Sequence, residues 1–120
     1  VADDAHTVIN ALSLDQHHGT GGTVYGRPGR ISGSTCVPTA SLLDPDTGAF
    51  IDMAEIRARL TAAGAAADAP VIAYCGGGIA ASATAFLLIL NGFENVALYD
   101  NSLSEWAKDP SLPMEIGVPA

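Results

Sequence analysis

A chain of 120 residues, 48% hydrophobic and 15% charged, is long enough to bury one core as one domain and too apolar to stay disordered. Its net charge of −8, with only 5 Lys and Arg, makes nucleic acid and anionic membranes poor partners. No apolar run nears the roughly 18 residues that a membrane span needs, the first residues carry no signal-peptide pattern, and 2 cysteines neither build a disulfide framework nor fit a zinc spacing. The expectation is a soluble, cytoplasmic protein with reduced thiols and no metal.

In chain order, Thr7-Val8-Ile9-Asn10 is short and β-branched and reads as the first strand. From Leu14 to Gly33 all periodicity is lost, which predicts a long surface loop, and loops of that length are uncommon unless functional. Within it, His17 and His18 stand side by side with no third ligand nearby, so solvent exposure is expected rather than a metal. Arg27 and Arg30 share the same loop. Salt screens charges beyond about 10 Å, so such a local positive spot can hold an anion at contact distance even on an acidic chain; the alternative is a solvated arginine pair. Thr35-Cys36-Val37 reads as a second strand ending at Pro38, with Cys36 as a buried structural thiol.

Ser41-Leu42-Leu43 suggests a helical turn, and Asp44-Pro45-Asp46-Thr47-Gly48 is turn chemistry. Asp52-Met53-Ala54-Glu55 has the pattern of a capping box, opening a helix with Ile56, Leu60 and Ala63 on its apolar face and Gly64 at its end. Ala65 to Ala69, bracketed by Gly64 and Pro70, reads as loop. Val71 to Tyr74 fits a buried strand. Ala81 to Leu90 is a helix apolar on all sides, which predicts packing against a sheet, and Asn91-Gly92 ends it. Val96 to Tyr99 supplies another strand, a short helix starts at Ser104 with Trp106 as a packing residue, and the tail from Pro110 is expected to be irregular. Strands alternating with helices imply one α/β domain with a mainly parallel sheet, helices on its faces and right-handed crossovers.

The stretch that carries chemistry is Cys75-Gly76-Gly77-Gly78-Ile79-Ala80-Ala81. Cys75 sits where the chain leaves a sheet at its carboxyl edge and feeds a helix, the usual place for ligand sites in open α/β sheets. Three glycines free the backbone to curl its N–H groups around the sulfur. Amide donors and a helix amino end can lower a cysteine pKa from about 8.5 to roughly 3.5–7.5, and the same donors can hold a persulfide or an oxyanion. A thiolate nucleophile is the chemical expectation. The competing readings are a small buried hydrophobe and a phosphate-binding turn that needs no cysteine.

These residues resemble the rhodanese-like sulfurtransferases, and within them the catalytic C-terminal domain of tandem-domain thiosulfate and mercaptopyruvate sulfurtransferases. Cys75-Gly76-Gly77-Gly78-Ile79-Ala80 is similar to the family's Cys-Gly-Ser-Gly-Val-Thr loop of the mercaptopyruvate type. Arg27-Pro28-Gly29-Arg30-Ile31-Ser32-Gly33-Ser34 is similar to Arg-x-Gly-His-Ile-x-Gly-Ala, and Tyr99-Asp100-Asn101-Ser102-Leu103-Ser104-Glu105-Trp106 to Tyr-Asp-Gly-Ser-Trp-x-Glu-Trp.

The resemblance implies Cys75 as the catalytic cysteine and Gly76, Gly77, Gly78, Ile79, Ala80 and Ala81 as the loop that binds the transferred sulfur. Arg27 and Arg30 are then the residues that orient a small anionic donor. It further implies a thiophilic acceptor such as cyanide or a thiol, no cofactor, and a preceding rhodanese-like domain, which fits a chain opening on Val1 rather than Met. The loop carries no basic residue, unlike that of thiosulfate-type enzymes, which favours mercaptopyruvate.

The sequence also departs from the family. Gly77 and Ala80 stand where its loop has Ser and Thr, Asn10-Ala11-Leu12 stands where it has Asp-x-Arg, Gln16 replaces a binding Arg, and Arg30 replaces a His. These departures keep open a catalytically weak binding or regulatory module of the same fold. A cysteine phosphatase of related fold needs an Arg at the end of the loop, where this chain has Ala81.

Overall fold

The computed structural model describes residues 7–20, 27, 29–65, 70–75, 79–99 and 102–116. Its centre is a parallel sheet of β1 (Thr7–Asn10), β3 (Thr35–Cys36), β4 (Val71–Tyr74) and β5 (Val96–Leu98), in the order β3-β1-β4-β5. β1 lies in register with β4 from Thr7 opposite Val71 to Asn10 opposite Tyr74, and Asn10 also faces Cys36 of β3. A two-stranded antiparallel ribbon, β2 (Arg30–Ile31) with β6 (Met114–Glu115), stands apart from it.

Strand alternation divides the apolar residues between two cores. On one face, Ile9 and Val71 pack with Ile56 and Leu60 of α2 (Met53–Ala62) and with Leu87 and Leu88 of α3 (Ile79–Leu90). On the other, Val8 and Tyr74 pack with Ile31 and with Leu103 and Ala107, which lie in and just after α4 (Ser102–Trp106). Leu60, Leu87 and Leu88 are fully buried, each contributing on the order of 1.5–3 kcal/mol of transfer free energy. The α/β architecture with helices on both faces of a mainly parallel sheet matches the expectation.

Several boundaries differ for physical reasons. Leu14–His18 forms a short helix, α1, inside the expected loop: Ser13 caps it by accepting from the Gln16 N–H, and Gly19, at φ 90, ends it. His17 is consequently buried, not exposed. The helical turn lies at Thr39–Leu42 and is a 3-10 turn. Asp52 holds the cap position of α2, but its side chain makes no capping bond, and Glu55 pairs with Arg59 instead. α4 begins at Ser102, and the tail is ordered far enough to form β6. α3 leaves Phe86, Ile89 and Leu90 exposed, so only part of its apolar surface meets the sheet. The loop expected over Ala65 to Ala69 falls mostly on residues 66–69, which lie outside the described residues. Among the described residues no helix is long and apolar enough to cross a membrane.

Candidate active site

Cys75 is the first residue beyond β4, so the central strand pair ends at its sulfur. It is 2% exposed and packs with Ala11, Ala73 and Ala81. Ala11 just past β1, Ala73 on β4 and Ala81 on α3 are small, and the partly buried Leu12 and Ala80 pack beside them. Gly76, Gly77 and Gly78, and the side chain of Ile79, lie outside the described residues. Ala80 is half-buried and Ala81 is fully buried; Ala81 spends its side chain on packing. Thr39 donates its hydroxyl to the Ala80 carbonyl at 3.2 Å, tying the first turn of α3 to the 3-10 turn after β3.

Both main-chain groups of Cys75 are held from one side. Its N–H donates to Ser102 Oγ at 3.0 Å, and its carbonyl accepts from the Leu103 N–H at 3.0 Å. Ser102 Oγ in turn donates to the Tyr99 carbonyl at 2.6 Å. The amino end of α4 therefore clasps the exit of β4.

The two expected arginines lie elsewhere in the network. Arg27 donates through Nε to the Ala107 carbonyl (2.8 Å) and through Nη2 to the carbonyls of Trp106, Asp109 and Leu112 (3.1, 2.7 and 2.9 Å). These acceptors include carbonyls at the carboxyl end of α4, where a cation also suits the helix dipole. Arg30 is 4% exposed; it donates to the His17 carbonyl at 3.1 Å and pairs with Glu115 at 3.3 Å. Bonds from Arg30 and the Ser32 hydroxyl hold the Glu115 carboxyl below its usual range, the serine contributing most.

Arg30 also faces a polar cluster that the sequence reading did not single out. Asn10, fully buried at the end of β1, accepts the Leu12 N–H on Oδ1 and presents Nδ2 to His17 Nδ1 at 3.0 Å. Two N–H groups cannot face each other, so the neutral His17 ring carries its proton on Nε2. Burial first, then the nearby charges of Arg30 and His18, push the His17 pKa down to about 4, with Glu115 opposing. Tyr74, also fully buried, accepts the Ile31 N–H at 3.0 Å and shares a 2.8 Å bond with Ser34, and burial drives its phenol upward. Cys36, opposite Asn10 on the edge strand β3, is half-buried rather than buried, because β3 has a neighbour on one side only, whereas Cys75 packs with Ala81 of α3. Burial raises the Cys36 thiol to about 11, and its Sγ donates to the Leu12 carbonyl at 3.3 Å.

The rhodanese-like domain family matches residues 15–109. The chain belongs to this family. Over 89 residues it is 35% identical to thiosulfate/3-mercaptopyruvate sulfurtransferase 1, mitochondrial, of Arabidopsis thaliana, covering 74% of this chain and 23% of that protein. It is 34% identical over 89 residues to the 3-mercaptopyruvate sulfurtransferase of Escherichia coli strain K12, covering 74% of this chain and 31% of that one. Among solved structures, the anaerobic ergothioneine biosynthesis enzyme from Chlorobium limicola in complex with trimethyl histidine superimposes with a TM-score of 0.85 at 25% identity, over 98% of this chain and 29% of that one. This rhodanese-like domain thus spans about a quarter to a third of the length of these relatives.

Ser102 borders the site with no role expected from the sequence, and Asn10, expected only as a departure from the family's Asp-x-Arg, is the buried partner of His17. Ser102 lies in the stretch from Tyr99 to Trp106 that resembles the family, and its one local signal is its place just past a strand end. Nothing in the sequence marked the link from Asn10 to His17, because it joins two elements through side chains seven residues apart.

Proposed function

We propose that this domain is a sulfurtransferase acting through Cys75, on a small anionic donor with mercaptopyruvate favoured over thiosulfate. The observation that carries the reading is the placement of Cys75 at the carboxyl edge of β4, its backbone clasped by α4, in a chain of the rhodanese-like family. In the first half-reaction the Cys75 thiolate attacks the donor's sulfur. The carbon–sulfur bond of mercaptopyruvate breaks, its electron pair leaves on carbon as the enolate of pyruvate and takes up a proton, and Cys75 becomes a persulfide. In the second, a thiophilic acceptor such as cyanide or a thiol attacks the outer sulfur, the sulfur–sulfur bond breaks, and the thiolate returns. This chemistry needs no metal or organic cofactor.

Main-chain amides from Gly76 to Ala81 are assigned to the charged sulfur; Arg27 and Arg30 are assigned to the donor's carboxylate only at contact, where that carboxylate must displace the carbonyls that Arg27 bonds, or the His17 carbonyl and Glu115 carboxylate that Arg30 bonds. A preceding rhodanese-like domain and a cytoplasmic location belong to the same proposal. A weak regulatory module remains the second reading, favoured by the missing loop hydroxyls at Gly77 and Ala80.

The test is steady-state kinetics with both donors on the wild type and on Cys75→Ser, Arg27→Ala, Arg30→Ala and Cys36→Ala, with mass spectrometry for the added sulfur. Cys75→Ser should abolish loading while the fold persists, and Cys36→Ala should retain turnover, since burial keeps its thiol protonated at neutral pH and its Sγ is bonded to the Leu12 carbonyl. Mercaptopyruvate should have the higher kcat/KM. Sulfur loading that survives Cys75→Ser removes the catalytic assignment, a better rate with thiosulfate removes the donor choice, and no turnover of either donor leaves the regulatory module.

A further inference from the structure

Ser102 is fully buried and, alone among the described non-glycine residues, has a positive φ, 49°. L-residues enter that region at a cost and stay only where their surroundings hold them. Here the conformation stands at the first residue of α4 and aims the hydroxyl at the backbone of Cys75: Oγ accepts the Cys75 N–H and donates to the Tyr99 carbonyl, while the next N–H, of Leu103, binds the Cys75 carbonyl. An apolar side chain could fill the space. Only a group that both accepts and donates completes the link from Tyr99 to Cys75.

We infer that Ser102 is a positioning residue for the nucleophile: it fixes the peptide of Cys75, and through it the direction in which the sulfur leaves β4. This rests on the sulfur-transfer reading above for its catalytic consequence, but the geometry it claims stands on its own. Fixing this peptide matters because a misplacement of about 1 Å at a reacting atom can cost about 100-fold in rate. The restraint acts on the backbone and not on the donor, so its loss should appear in kcat and leave KM alone.

The deciding variant is Ser102→Gly, which removes the hydroxyl and at the same time relieves the backbone at this φ, so folding is retained. Ser102→Ala serves as the companion that keeps the backbone cost. With saturating mercaptopyruvate, Ser102→Gly should lower kcat and the single-turnover rate of sulfur loading roughly tenfold, with KM within about twofold. In parallel, amide hydrogen exchange of Cys75 should speed up at least about tenfold, while the Tyr99 amide, bonded to Ala73, keeps its protection. Unchanged kcat in folded Ser102→Gly overturns the inference, as does an unchanged Cys75 exchange rate. A fall in kcat that tracks only the folded fraction overturns it too. If wild-type Cys75 takes up no sulfur, the sulfur-transfer reading falls by itself, and the exchange comparison still decides on Ser102.

Discussion

Acidification should expose the buried His17. In the unfolded chain this imidazole has the ordinary value of 6.5, and in the fold it is held at about 4, so between these limits the unfolded state binds the extra proton. Stability rises with pH wherever the unfolded state is the better proton acceptor; the contribution is therefore complete above about 6.5 and lost as pH falls toward 4. For these two values the loss on going from about pH 7 to about pH 5 is about 2 kcal/mol. That is a large share of the roughly 5–15 kcal/mol that holds a domain together.

The physical cost is specific. A proton on Nδ1 would meet Nδ2 of Asn10, whose oxygen is already committed to the Leu12 N–H, next to the guanidinium of Arg30. Hydrogen bonds from Ser111 and from Ser32 hold the Asp109 and Glu115 carboxyls below their usual values, and both are common to the wild type and the variant. Urea denaturation at the two pH values, on the wild type and on His17→Gln, gives the measurement. The wild type should lose about 2 kcal/mol more than the variant; equal losses would refute the assignment of the buried neutral imidazole.

The second buried polar anchor should respond to removal of a single oxygen. Tyr74→Phe leaves the Ile31 N–H without its acceptor and Ser34 without one of its partners, which should cost about 1–3 kcal/mol in urea denaturation. Because the ring fills the same space, sulfur transfer per folded molecule should be kept, and a loss of specific activity would place the phenol in the chemistry.

The strands β1 and β4 were readable to the residue because they are short, β-branched and central, so local propensity and burial agree. α2 was readable from its apolar spacing and α3 from its unbroken apolar run, each with a glycine past its end, although α3 begins two residues earlier, at Ile79. α1 was not. Five residues carry too few apolar positions to show a period, and its signal is the Ser13 cap and Gly19 alone. The β2–β6 ribbon was hidden for another reason: two residues pairing across 85 positions leave no local trace, and Arg30 reads as a loop cation until Glu115 is known to face it. Cys75 was legible because its strand, glycines and helix are consecutive. Ser102 was not, since its value to the site comes from a contact 27 residues away in sequence.

The placement of the cations bears on how a donor reaches Cys75. All four arginines donate to main-chain carbonyls of other segments: Arg27 to the end of α4 and the turn after it, Arg30 to His17, Arg57 to Asn91 and Arg59 to Ser41. Each fastens one element to another, and the field seen at a distance is that of a chain carrying −8. α4, five residues long, spans roughly 7.5 Å, so Arg27 stands at the end of that helix away from Cys75, and a donor carboxylate must compete with four carbonyls for it. Long-range repulsion is screened by salt, whereas an approach to helix and loop amides at the sulfur is short-ranged. Raising ionic strength from about 0.01 M to about 0.15 M, where the screening length falls from about 30 Å to about 8 Å, should therefore increase kcat/KM for an anionic donor. Guided capture by an exposed arginine has the opposite sign, since screening weakens steering. A kcat/KM that falls with salt in the wild type, and loses this dependence in Arg27→Ala or Arg30→Ala, would show that the arginine leaves its carbonyls to meet the donor.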